Sequence, residues 1–207
     1  MVKEYATIRK ETKLLLDNPE TDRVDFKESF SGVEKEDLVA FANAKGGSIL
    51  VGVKEYTHAG MQRGKIVGWT GDFDKERNQI QNKAHNCIPP INLAITIENK
   101  GSKKLIRIDV EEAEEKPCCT QGGKYLIRRD GVNRGIQPPE LVAMILEREA
   151  SQFTLRLETA GKEFMENLLD GLKQVMGLIE NLQATADQIE VTAAEARDAS
   201  FDAAYDH

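Results

Sequence analysis

Three patterns in this 207-residue chain predict an α+β domain, with a mixed sheet and flanking helices, followed by a long coiled-coil helix. The first is strict alternation at Ile91, Leu93, Ile95 and Ile97, answered across Asn99-Lys100-Gly101 by Leu105 to Val110, which is the pattern of a β-hairpin. The second is Ser48-Ile49-Leu50-Val51-Gly52-Val53, a continuous apolar run of strand length that suits a strand buried on both faces. The third is a heptad seam: Leu172, Val175, Ile179, Leu182, Ala186, Ile189, Ala193 and Ala196 recur at alternating steps of three and four.

The other elements are justified one by one along the chain. Tyr5, Ile8, Thr12, Leu15 and Leu16 form a helical stripe over 4–16, ended by Asn18-Pro19. Val24-Asp25-Phe26-Lys27 alternates as a short strand, with Asp25 and Lys27 on one face and Val24 and Phe26 on the other. Glu34, Glu36 and Asp37 place negative charge at the positive end of a helix that runs to Gly46-Gly47. A polar loop is expected at 55–64, a short strand from Lys65 to Trp69, and a helix over 73–86 closed by Pro89-Pro90. Lys124 to Arg129 reads as a strand closed by Asp130-Gly131, and Pro138-Pro139-Glu140 opens the last helix, where proline suits the first turn. The expected divisions are 1–137 for the domain, 138–199 for the helical segment and 200–207 for a frayed tail.

Charge divides along the same line. The chain carries 28 Lys+Arg and 35 Asp+Glu, a net charge of −7. Residues 1–150 hold 24 of each sign, and residues 151–207 hold 4 basic against 11 acidic side chains, so the tail carries all of the net charge. The negative total is therefore no argument against a nucleic-acid partner for the domain. No apolar run is long enough for a membrane span, and Met1-Val2-Lys3-Glu4-Tyr5 is not followed by the apolar stretch of a secretory leader. The cytosol is the expected compartment. Cys87, Cys118 and Cys119 have no zinc-site spacing and are expected to be structural thiols.

Three groups of residues could carry chemistry. Glu20 at the entrance of the 24–27 strand can reach toward Asp25, and two close carboxylates suit Mg²⁺ or Mn²⁺; Lys27 beside them could neutralise a phosphate. Solvated turn acids are the plainer reading of the same residues. The Ala42-Asn43-Ala44-Lys45-Gly46-Gly47-Ser48 stretch runs from helix to strand, the reverse of a phosphate-binding loop, so no ATP site is supported. Basic residues gather late in the domain, at Lys103, Lys104, Arg107, Lys124, Arg128, Arg129 and Arg134, with Tyr125 among them, and could contact phosphates.

In their order, Glu20 through Ser29, Asp37 through Val53 with its Ala42-Asn43-Ala44-Lys45-Gly46-Gly47 core, Ile88-Pro89-Pro90, Lys124 through Arg128 and Pro139-Glu140-Leu141 resemble the Schlafen AlbA-type domain. The resemblance spans about residues 10–145 and leaves the tail outside. It implies an α+β nucleic-acid-binding module. It also implies, for members that cut RNA, three acids around a divalent metal. Two of these map to Glu20 and Asp25. The third falls at Lys54, with Glu55 next to it, so the chain departs from the cutting pattern.

The leading expectation is a nucleic-acid-binding module for RNA or DNA, contacting phosphates through Lys27, Lys45, Arg107, Lys124, Arg128, Arg129 and Arg134. It would self-associate through Leu172, Val175, Ile179, Leu182 and Ile189. The alternative is an endoribonuclease acting on structured RNA such as tRNA, with Glu20, Asp25 and Glu55 around Mg²⁺ or Mn²⁺ and Lys27 at the scissile phosphate. A third reading is an oligomeric adaptor with no nucleic-acid partner. For the tail, a helix folded back on its own domain is the alternative to a coiled coil.

Overall fold

The computed structural model describes residues 3–205, with side chains up to Arg197. The chain divides into two compact units, Met1–Glu149 and Ala150–His207. The first unit is α+β. Its main sheet has five strands: β1 (Lys3–Tyr5), β2 (Val24–Lys27), β3 (Gly47–Val51), β6 (Leu93–Lys100) and β7 (Lys103–Val110). They lie in the order β1-β6-β7-β3-β2. The outer pairs, β1 with β6 and β2 with β3, are parallel, and the two inner pairs are antiparallel, so the sheet is mixed.

Each face of the sheet has its own core, because successive strand residues point to opposite sides. Ile49 and Val51 of β3 and Ile106 and Ile108 of β7 pack with Leu38, Phe41, Trp69 and Ile80. That face is covered by α2 (Lys35–Asn43) and α3 (Phe73–His85). Leu50 and Leu105 point the other way, to Ile8, Leu16, Val24, Phe26, Val53 and Ile66. This second face is covered by α1 (Lys10–Leu16) and by the hairpin of β4 (Val53–His58) and β5 (Met61–Ile66). As expected, β3 is buried along nearly its whole length.

The paired glycines allow β3 to start beneath α2. Gly46 has φ +69°, and a Cβ on Gly47 would stand 2.5 Å from the Phe41 ring and 2.7 Å from the Arg23 carbonyl oxygen. Only glycine fits there. Glu34 and Asp37 form a reciprocal cap at the start of α2, each side chain accepting from the other's end of the turn.

Several expectations change. The helix expected over 4–16 is β1 followed by α1, because residues 3–5 pair with Thr96, Ile97 and Glu98 of β6. The polar loop expected at 55–64 is the β4–β5 hairpin, turned at Ala59 (φ 50°) and Gly60 (φ 80°). Arg134, expected just past the last strand, lies on β9 (Val132–Gly135), which pairs with β8 (Leu126–Arg129) across a turn at Asp130 and Gly131. Cys87, Cys118 and Cys119 are free and buried. Burial pushes the Cys87 and Cys118 thiols up to about 11.

The last helix, α4 (Pro138–Tyr205), begins at the expected prolines, and its residues 138–149 belong to the first unit. Along the second unit Leu172, Val175, Ile179, Leu182 and Ile189 are 49–70% exposed. The tail expected to fray lies outside the described residues in its side chains and, at 206–207, in its backbone too. No helix among the described residues is long and apolar enough to cross a membrane.

Candidate functional site

Asp25 and Lys27 leave β2 on the same face, as the alternation requires, and Lys27 Nζ stands 2.8 Å from Asp25 Oδ2. This is an ion pair without hydrogen-bond alignment, for Oδ2 is a buried oxygen lacking an aligned donor. The other oxygen, Oδ1, accepts from Arg128 Nη2 at 3.0 Å. Arg128 comes from β8 and is 3% exposed. It also donates to the carbonyl oxygens of Thr21 and Val24 and to Asn133 Oδ1, each at 3.0 Å. Its guanidinium carbon lies 4.7 Å from the centre of the Phe41 ring.

Two more carboxylates close the cluster. Glu20 accepts from the Phe26 N–H at 2.7 Å and lies 3.9 Å from Arg128. Burial, with Asp25 beside it, pushes Glu20 up to about 7. Asp37, from the first turn of α2, accepts from Asn133 Nδ2 at 2.7 Å and from the Glu34 N–H at 2.8 Å, and lies 3.9 Å from Lys27. Burial raises Asp37 above the ordinary aspartate range. Burial opposes the charge on Lys27, but Asp25, Asp37 and Glu20 outweigh it and hold the ammonium above its ordinary value. Residues from the loop before β2, from β2, α2, β8 and β9 thus meet in one centre of three carboxylates and two cations.

Two members of this centre are not foreseen from the sequence. Asp37 signals locally only as a helix-start charge, and Asn133 has no local signal at all. Asn43 is also structural: it is 2% exposed, it donates to the carbonyl oxygens of Cys118 and Leu126 at 2.8 Å, and it accepts from the Cys118 N–H at 2.7 Å. It ties α2 to the segment leading into β8.

The acids expected to hold a divalent cation are engaged by protein groups. Lys27 and Arg128 already hold the two oxygens of Asp25, and both oxygens of Asp37 accept hydrogen bonds. No group of three or more His, Cys, Asp or Glu among the described residues is arranged to hold a metal. Glu55, expected as a third acid, lies exposed on β4 opposite Gly64, and no hydrogen bond or ion pair joins it to Glu20 or Asp25. Lys54, at the third acidic position of the cutting pattern, pairs instead with Glu28 at 3.3 Å.

The expected phosphate contacts lie in different surroundings. Arg128 is buried, with four of its five N–H groups donated within the domain. Of the other late-strand cations all but Lys103 have a carboxylate partner: Lys104 with Glu4 at 3.5 Å, Arg107 with Asp109 at 2.7 Å, Lys124 with Glu36 at 2.8 Å, Arg134 with Asp130 at 3.3 Å, and Arg129 with Glu140. Lys45 is exposed just after α2.

A family profile described as Schlafen, AlbA_2 matches residues 20–137, more than half of the chain. The chain belongs to the Schlafen AlbA_2 family. The match begins at Glu20 and ends just before α4, so it contains the whole carboxylate centre and leaves out the heptad helix. No curated protein matches this AlbA_2 sequence. Among solved structures, the N-terminal domain of a RecG-related protein from Nitrosomonas europaea matches at 24% identity and a TM-score of 0.47, covering 63% of this chain and 94% of that one. The DIP2311 protein from Corynebacterium diphtheriae matches at 19% identity and a TM-score of 0.42, covering 62% of this chain and 23% of that one.

Proposed function

We propose that this AlbA_2 chain is a nucleic-acid-binding module that binds RNA or DNA without cutting it, and that its C-terminal helix gathers copies of the chain into an oligomer. The observation that carries this reading is the state of Asp25. A nuclease carboxylate must present its oxygens to a metal, whereas Asp25 is 3% exposed and held between Arg128 and Lys27. The centre joins β2, α2 and the β8–β9 hairpin, which is the work of a scaffold. Family membership supports nucleic acid as the partner. For the tail, the supporting observation is a seam spaced for knobs-into-holes packing, with its larger residues about half exposed or more in the single chain. A second copy of this chain carries the same seam and is the occupant we assign. Several modest sites on one coiled coil would bind with higher avidity than one.

Full-length protein incubated with tRNA should give no cleavage that depends on Mn²⁺. Cleavage that EDTA abolishes, and that Glu20→Ala with Asp25→Ala removes, would restore the endoribonuclease reading. Log affinity for RNA or DNA should fall linearly as log salt rises, since lysine–phosphate contacts release counterions. A flat plot counts against phosphate contacts, and no binding to either nucleic acid favours the adaptor. Leu172→Asp with Ile179→Asp should lower the sedimenting mass of the full chain; an unchanged mass rejects the coiled coil.

A further inference from the structure

We propose that the groove between α1, β5 and the β6–β7 turn holds the phosphodiester backbone of single-stranded nucleic acid, with Tyr56 as a stacking platform for a base. The proposal rests on the nucleic-acid reading above and names the surface that would carry it.

The groove has a volume of about 910 Å³ and is lined by Lys13, Lys65, Lys100, Lys103 and Tyr56, with Asp17 the single acid. Lys13, Lys65 and Lys100 make no ion pair with any described residue, and Lys103 reaches only the Ile66 carbonyl oxygen, at 3.4 Å. Lys104, Arg107, Lys124, Arg128, Arg129 and Arg134, in contrast, are each matched to a carboxylate. Four lysines stand here against one aspartate, so the groove is locally positive although the domain as a whole sums to zero charge.

Strand register adds a second, independent observation. Lys100 lies directly opposite Lys103 across the β6–β7 turn, and Lys65 lies directly opposite Lys54 in the β4–β5 hairpin. Like charges facing each other across strands weaken a sheet. The Lys100–Lys103 pair lines the groove, and a polyanion lying in it would relieve that repulsion; Lys65 also lines it, while Lys54 is answered by Glu28. The shape is set by close packing: a Cβ on Gly64 would meet Leu16 Cδ2 at 2.7 Å, so β5 lies tight against α1 and the groove opens above that contact.

The aromatic ring selects the form of the polyanion. Tyr56 is 38% exposed on β4, with the ring of His58 centred 6.4 Å away. A lysine-lined groove with an exposed ring suits a strand whose bases are unstacked and can lie on that ring; a duplex keeps its base faces covered.

The test is fluorescence anisotropy of the full chain with labelled single strands of about 16 nucleotides, DNA and RNA, and with the matching duplexes. The wild type should bind single strands more tightly than duplexes. Lys65→Gln with Lys100→Gln and Lys103→Gln should weaken binding at least tenfold at low salt and reduce the salt slope by about 2, as expected for three lost phosphate contacts to a single strand. Tyr56→Ala should weaken binding roughly tenfold with the slope unchanged. Lys75→Gln with Lys173→Gln, on α3 and α4, serves as a control for loss of charge elsewhere and should leave affinity within about twofold. Circular dichroism confirms that each variant folds. If the wild type binds no nucleic acid, the functional reading itself fails. If the wild type binds and the triple variant binds equally well, the groove is wrong while that reading stands. Equal affinity for duplex, or an unaffected Tyr56→Ala, overturns the single-strand assignment.

Discussion

The carboxylate centre and the lysine groove use charge in opposite ways. In the centre Glu20, Asp25, Asp37, Lys27 and Arg128 lie close together and largely out of water, and the carboxylates and cations answer one another. In the groove Lys13, Lys65, Lys100 and Lys103 stand in solvent with one acid among them. Buried charge must be matched or it destabilises the fold by several kcal/mol. Exposed charge is shielded by water and can be left unmatched for a ligand at small cost. The residues with the strongest look of chemistry in the sequence are therefore the ones most occupied with holding the domain together.

The largest expected effect comes from breaking the match inside. Arg128→Met would leave Asp25 with Lys27 alone and remove the guanidinium donors from the Thr21 and Val24 carbonyls, which keep only each other's backbone N–H. It should cost about 3–5 kcal/mol in urea unfolding, followed through the fluorescence of the single tryptophan, Trp69. Asn43→Ala, which removes three hydrogen bonds from the α2 contact, two of them buried, should cost about 2–3 kcal/mol in the same experiment.

The pH dependence sharpens the comparison next. Glu20 has an ordinary value of 4.5 and is raised to about 7 in the fold, so the folded state holds its proton more tightly than the unfolded chain does. Its contribution to stability is complete below pH 4.5 and is lost as the pH rises through about 7. Asp37, also raised, acts in the same direction. Glu20→Gln should flatten this part of the stability profile and gain about 1 kcal/mol over the wild type above neutrality, measured by urea unfolding across pH. The groove should show the smallest effect, with the opposite sense: Lys100→Glu, placed opposite Lys103, should stabilise the fold by about 0.5 kcal/mol while weakening nucleic-acid binding. A loss of stability there would count against an unmatched groove.

Much of the architecture could be read from local pattern. The β6–β7 hairpin, the buried β3, the capped start of α2 and the Gly46-Gly47 turn each rest on residues adjacent in the chain, and each forms where expected. The misses are non-local. Tyr5 stands at helical spacing from Ile8 and Thr12, but residues 3–5 form a strand because β6, about ninety residues away, offers an open edge. The β4–β5 hairpin is hard to see because its strands are polar and exposed and its turn is Ala59-Gly60, a weaker signal than Asn-Gly. The site was half legible. Asp25 and Lys27 share a face by strand alternation, but the entry of Asp37 and Asn133 depends on α2 and β9 arriving beside β2.

By itself, the sequence determined the α+β class, the family motifs, the heptad seam and the confinement of net charge to the tail, because periodicity and composition act over short distances along the chain. Only the tertiary structure decided which charges are spent. Whether a lysine or arginine is answered within the fold depends on whether a carboxylate from another element lies within ion-pair distance, about 4 Å. Folding brings such a partner to Lys124, Arg128 and Arg129, and brings none to Lys13, Lys65 and Lys100; Arg107 and Arg134 pair with acids two and four residues away in the chain.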